Sequence, residues 1–154
     1  MKNFKTFFTG HQKEMQLLGV SLNPPATTEE INKLEVAVGQ KLPQEITDFY
    51  SYCNGFETED WLFNLLSIEQ ILYYKSELET SDFYFAEYMI YSDTWELKLE
   101  SSNSFSISNS NHGAEPQIVL TNSIYEFLDI YLNSDGVLSG DNGLYKWFEE
   151  KHNQ

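Results

Sequence analysis

Trp95-Glu96-Leu97-Lys98-Leu99-Glu100 alternates apolar and charged residues without a fault. Strict alternation of this kind marks a strand with one buried face and one wet face. β texture continues on both sides. Phe83 to Tyr91 is rich in aromatic residues, Phe105-Ser106-Ile107 alternates again, and Gln117-Ile118-Val119-Leu120 reads as one more strand after a loop at Asn109-Ser110-Asn111-His112-Gly113. Upstream, the apolar run Trp61-Leu62-Phe63-Asn64-Leu65-Leu66 fits a strand entering the same sheet. Ser67 is placed to cap a helix whose buried stripe is Ile68, Ile71, Leu72 and Leu78.

Helical signals bracket this block. In Pro25-Ala26-Thr27-Thr28-Glu29-Glu30, Thr27 caps a helix and Glu30 closes a capping box; Ile31, Leu34 and Val38 form its inner face, and Gly39 supplies a left-handed end. Leu42-Pro43 restarts the chain, with Pro43 suited to a first helical turn. Ile46, Phe49, Tyr50 and Cys53 then repeat at helical spacing until Asn54-Gly55 stops the helix. Residues 1–22 read as a slightly basic helical lead-in with Phe4, Phe7 and Phe8 on one stripe. At the other end, Asn122 or Ser123 opens a helix carrying Ile124, Phe127, Leu128 and Tyr131, Ser134-Asp135-Gly136 breaks it, and Leu144, Trp147 and Phe148 mark a terminal helix over 141–152. Helices, a block of strands, then helices predict an α+β fold: one domain over 1–154, with a mostly antiparallel sheet flanked by N-terminal and C-terminal helices.

Composition narrows the function. The chain has 154 residues, long enough to bury roughly two-thirds of its unfolded surface, and 41% of them are hydrophobic, so a folded domain is expected rather than disorder. Its 24 acids face nine lysines and no arginine, a net charge of −15. Such a chain repels phosphate, which argues against nucleic acid and against an anionic membrane surface, and favours a cationic protein partner. Solubility alone also accounts for an acidic surface. A lone cysteine, Cys53, rules out an internal disulfide framework and a multi-cysteine zinc site. The opening MKNFKTFFTGHQKEMQ lacks the apolar core of a signal peptide, and no segment approaches a membrane span, so the expected compartment is the cytoplasm.

The order of these signals resembles a known family. Pro25-Ala26-Thr27-Thr28-Glu29-Glu30-Ile31, Leu34-Glu35, Gly39 and Leu42-Pro43, followed by a helix ending in Asn54-Gly55, are similar to the opening signature of the SUKH superfamily, the Smi/Knr-type domains. Trp61-Leu62, then Leu66-Ser67-Ile68-Glu69-Gln70-Ile71, and Phe85-Ala86-Glu87-Tyr88-Met89-Ile90 resemble its later strand, helix and strand, so that the likeness spans residues 24–133. One departure stands out: the glycine-rich segment that many members carry between sheet strands is here Ser92-Asp93-Thr94-Trp95. The resemblance implies an α+β fold and a non-enzymatic binding function. Bacterial members are typically immunity proteins that bind and block a polymorphic toxin, often a nuclease; fungal members act as interaction hubs in cell-wall signalling. Both readings remain open at this point.

No motif demands chemistry. His11, His112 and His152 are scattered, and His112-Gly113-x-Glu115 reads as an ordinary exposed turn, so no metal site and no cofactor are expected. Cys53 shares an apolar stripe with Ile46, Phe49 and Tyr50, the setting of an inert small hydrophobe rather than a nucleophile. Acid pairs such as Glu29/Glu30, Glu59/Asp60 and Glu149/Glu150 are too common here to single out an acid–base couple, and a carboxylate hydrolase would need two acids converging in a cleft. The charge is uneven, however. Between Glu57 and Glu100 there are eleven acids and two lysines, interleaved with tyrosine and tryptophan. Carboxylates steer a basic partner and aromatics anchor it, so Glu57, Glu59, Asp60, Tyr84, Glu87, Tyr91, Asp93 and Glu96 are the expected partner-binding residues. The plain alternative is a half-buried sheet with aromatics inside and acids outside.

Overall fold

The computed structural model describes residues 2–59, 62–110, 118–133 and 143–153. Two short helices, α1 (Phe4–Thr9) and α2 (Gln12–Leu18), lead into strand β1 (Val20–Leu22). Helices α3 (Thr28–Val38) and α4 (Gln44–Tyr52) follow, then β2 (Phe56–Thr58), β3 (Phe63–Leu65), helix α5 (Ile68–Tyr74) and a 3-10 turn at Lys75–Glu77. The central hairpin is β4 (Asp82–Tyr88) and β5 (Asp93–Leu99), continued by β6 (Phe105–Asn109) and β7 (Ile118–Thr121). Helices α6 (Ile124–Asn133) and α7 (Leu144–His152) complete the described chain. The fold is α+β: the seven strands form one sheet in sequential order, each pairing antiparallel with the next.

Local chemistry sets most of these boundaries. The Thr27 side chain accepts from the Glu30 amide while the Glu30 carboxylate accepts from the Thr27 amide, a closed capping box, and Gly39 ends α3 at φ +74°. Ser67 and Gln70 build a second box at the start of α5. Asn54 does more than stop α4: its Oδ1 accepts from the Ile68 amide at 2.8 Å, so one side chain ties the end of α4 to the start of α5. Gly55 beside it is forced by space, since a Cβ there would lie 2.3 Å from the Leu65 carbonyl oxygen.

The strict alternation at residues 95–100 is realised as read: Trp95, Leu97 and Leu99 are buried beneath the helices, while Glu96 and Lys98 point to the other side. Aromatic rings join the layers of the core. Phe4 stacks on Tyr125 at 4.1 Å and meets Phe49 edge-on at 5.3 Å, which fastens α1 to α4 and α6. Phe63 stacks on Tyr131 at 4.3 Å, and Trp95 packs against Phe63 and Phe127. Cys53 is fully buried, and desolvation pushes its thiol up to about 12, so it is held as the neutral hydrophobe its stripe predicts.

Several expectations are corrected. The lead-in is not wholly helical: it breaks at Gly10, ends α2 at the left-handed Gly19, and then supplies the edge strand β1. Three residues cannot show a periodicity, and the same holds for β2, which the sequence reading did not find. Pro43 is the N-cap of α4, in extended backbone, rather than its first helical residue. Helix α5 ends at Tyr74, so Leu78 lies beyond the stripe it was assigned to, and Asn109 belongs to β6 rather than to the following loop. The strand expected over 61–66 is confined to Phe63–Leu65. Trp61, His112 and Ser134-Asp135-Gly136 lie outside the described residues.

Candidate protein-binding surface

Helix α5 buries Ile68 and Ile71 and leaves Tyr73 and Tyr74 at its outer end. Next to it, Tyr84 stands on the face of β4 that points away from the core. The turn from β4 to β5 brings a third element to the same place. Met89, Ile90 and Tyr91 all have positive φ (54°, 52° and 62°), a single turn of left-handed helix made without glycine. Such backbone costs roughly 1–2 kcal/mol per residue, and specific bonds hold it. The Met89 amide donates to the Leu62 carbonyl at 2.7 Å, and the Ser92 amide and hydroxyl both donate to the Met89 carbonyl. The Tyr91 amide donates to Glu87 Oε2 at 2.9 Å.

The turn therefore delivers Tyr91 onto α5. Its ring lies 4.2 Å from that of Tyr74 and 6.4 Å from that of Tyr84, and Tyr73 meets Tyr74 edge-on at 4.8 Å. Four tyrosines from three elements thus form one cluster, bordered by an open groove of about 580 Å³ lined by Glu69, Gln70, Leu72, Tyr73, Tyr74 and Tyr91. Tyr73 is 78% exposed, and the adjoining Ile90 is 87% exposed. Burial first, then the charges of Glu77 and Glu96, raises the Tyr84 phenol. Burial, with Tyr74 and Glu87, raises Tyr91 further, so both phenols remain neutral donors and acceptors at physiological pH. The Tyr91 hydroxyl is closed off from solvent; it meets the Tyr74 side chain but completes no hydrogen bond of ordinary length.

The eight residues expected from sequence are not one site. Tyr84, Tyr91 and Glu96 converge on the tyrosine cluster. Glu87 and Asp93 require a correction, because neither presents its charge at the surface: each is only 5% exposed. Glu87 bridges the Tyr91 amide and the Asn64 side-chain amide, the latter at 2.6 Å, and so supports the left-handed turn from beneath. Asp93 faces α7: its carboxylate accepts from Tyr145 Oη at 2.7 Å, from Asn109 Nδ2 at 3.1 Å and from the Thr94 amide at 2.9 Å. Glu57 and Glu59 lie elsewhere, lining a separate cleft of about 450 Å³ beside Gly19 and Val20. Asp60 lies outside the described residues.

The sequence reading counted the tyrosines of this acidic segment, Tyr73 and Tyr74 included, as anchors in general but left these two, with Glu69 and Glu77, out of the expected partner-binding residues. For Glu69, Tyr73 and Tyr74 the signal was present, since α5 buries Ile68 and Ile71 and these fall off that stripe; Glu77 lies beyond α5, in the 3-10 turn. What the sequence did not hold was the packing of α5 beside the β4–β5 turn.

Among the described residues, no three histidine, cysteine or acidic side chains are grouped as a metal site requires, and no helix is long and apolar enough to cross a membrane. A surface of clustered aromatics with carboxylates at its edge has the composition of a protein-recognition patch. Comparison with curated proteins finds no match. Residues 25–138 do match a family profile, nearly the same span as the resemblance read from residues 24–133 and more than half of the 154-residue chain, and on that ground the chain belongs to the SMI1 / KNR4 family (SUKH-1).

Proposed function

We propose that this protein is a bacterial immunity protein, acting in the cytoplasm by binding a cognate polymorphic toxin and blocking it without catalysis. The observation that carries the reading is membership of the SUKH-1 family across residues 25–138, since that family is known for immunity proteins with protein partners. The net charge of −15, from 24 acids with no arginine, supports a cationic toxin domain, and a nuclease is the natural candidate because its substrate-binding surface must be basic. Inhibition in this reading needs only occlusion. Long-range attraction between acidic inhibitor and basic toxin speeds encounter, and aromatic anchors slow release.

The deciding experiment is rescue from toxicity. The C-terminal domain of a toxin encoded beside this protein is expressed in a host with and without it, and survivors are counted. Survival only in its presence is the expected outcome. Equal death in both cultures overturns immunity against that toxin and leaves a regulatory or scaffold binding module as the reading to pursue.

A further inference from the structure

We propose that the groove between α5 and the β4–β5 turn receives a single lysine or arginine side chain of the protein partner, laid against the rings of Tyr73 and Tyr74 with Glu69 and Glu77 as its countercharges. The inference rests on the protein-binding reading above and adds the chemistry that one part of the surface recognises.

The lining decides the occupant. Tyr73, Tyr74, Tyr91 and Leu72 make the lining of the groove largely aromatic and apolar, and Glu69 lines it too. Glu77 is exposed and close enough to Tyr84 and Tyr91 to raise both phenols. An anionic segment would be repelled here. A purely apolar segment would cover carboxylates without pairing them, which is unfavourable. A long cationic side chain satisfies both parts: its methylenes cover the rings, and its charged head reaches the acids and the ring faces.

The chain's own cations do not fill this role in the described structure. Ion pairs form between Lys33 and Glu29, Lys41 and Glu35, and Lys146 and Glu149, none of them at Glu69 or Glu77. Lys75, on the connection from α5 to β4, donates instead to the Glu79 carbonyl at 2.8 Å. The contact itself has a precedent within the molecule: Lys2 Nζ lies 4.8 Å from the centroid of the Tyr125 ring, beside the helical layer.

The test is a titration of the full chain followed by amide NMR shifts, at physiological salt, with three capped pentapeptides that differ only at the centre: arginine, lysine, or the uncharged isostere citrulline. The expected result is a footprint on Tyr73, Tyr74 and Tyr91 with the two cationic peptides, and binding about fivefold weaker or worse with citrulline. The double variant Glu69→Gln/Glu77→Gln weakens the cationic peptides about fivefold, whereas Glu29→Gln/Glu126→Gln, which removes the same charge elsewhere, binds as the wild type does. A footprint scattered over the surface, equal weakening in both double variants, or citrulline binding as well as arginine overturns the proposal. Toxin rescue separates it from the function it rests on. Where the wild type rescues, binding of that toxin domain by Glu69→Gln/Glu77→Gln as tight as by the wild type overturns the groove and leaves immunity standing. Failure of the wild type to rescue, with the peptide footprint intact, overturns immunity and leaves the groove.

Discussion

The two ends of the β4–β5 hairpin use the same residue type in opposite ways. Near the open end, Glu96 points away from the core into partly solvated space beside Tyr84. Near the turn, Glu87 points to that same side of the sheet and is buried, because the left-handed turn folds back and offers it the Tyr91 amide. Asp93, on the other side, is buried against α7. A carboxylate's role is thus set by what lies over it. Carboxylates toward solvent can steer a partner, while the buried ones accept hydrogen bonds from donors inside the fold.

The strongest way to break that contrast is Asp93→Ala. It removes the side-chain acceptor of the Tyr145 hydroxyl and the Thr94 amide and one of the acceptors of the Asn109 side-chain amide, and the expected loss is about 3 kcal/mol in urea unfolding, with α7 released from the sheet first. An unchanged midpoint would mean that α7 docks through its apolar face alone. Glu87→Gln comes next. It turns one of the two accepting oxygens into an NH₂ group that faces a donor, which is expected to cost about 1–2 kcal/mol and to speed hydrogen exchange at the Tyr91 amide while β6 and β7 exchange as before.

Glu45 sharpens the comparison from the middle of the scale. It is half-buried, accepts from the Ile124 amide at 2.7 Å at the start of α6, and has a pKa raised chiefly by desolvation. A carboxyl that titrates higher when folded than unfolded makes the folded state lose stability as pH rises between those two values. Glu45→Gln keeps an acceptor and removes that slope. The variant is therefore expected to gain on the wild type between about pH 4 and about pH 7, and Glu45→Ala, which removes the slope as well as the acceptor, to run parallel to Glu45→Gln about 1 kcal/mol below it. A parallel pH dependence of wild type and Glu45→Gln would show that desolvation at this site is negligible.

Where a signal repeats along the chain, the structure was legible in advance. The capping box at Thr27, the stripe that carries Cys53 and the alternation from Trp95 to Glu100 each involve several residues in register, and each is found as read. β1 and β2 were not legible because strands of three residues acquire their identity from pairing with each other, Val20 with Thr58 and Leu22 with Phe56. For the candidate surface, the sequence reading picked out the stretch that carries the clustered tyrosines Tyr74, Tyr84 and Tyr91. It did not separate outward from inward acids, because Glu87 is buried by a turn of three non-glycine residues that no turn signature announces.

The sequential order of the sheet also bears on how the chain is assembled. From β4 to β7 each strand meets its partner soon after leaving its neighbour, so that part of the sheet can zip strand by strand with little loop entropy to overcome. Between β3 and β4 the chain first builds α5, and β1 is the extreme case. Leu22 waits for Phe56, and the interval between them holds both α3 and α4. During synthesis β1 thus emerges well before the strand that secures it. The Asn54 side chain, which accepts from the Ile68 amide just past β2 and β3, binds the end of that interval to the next helix.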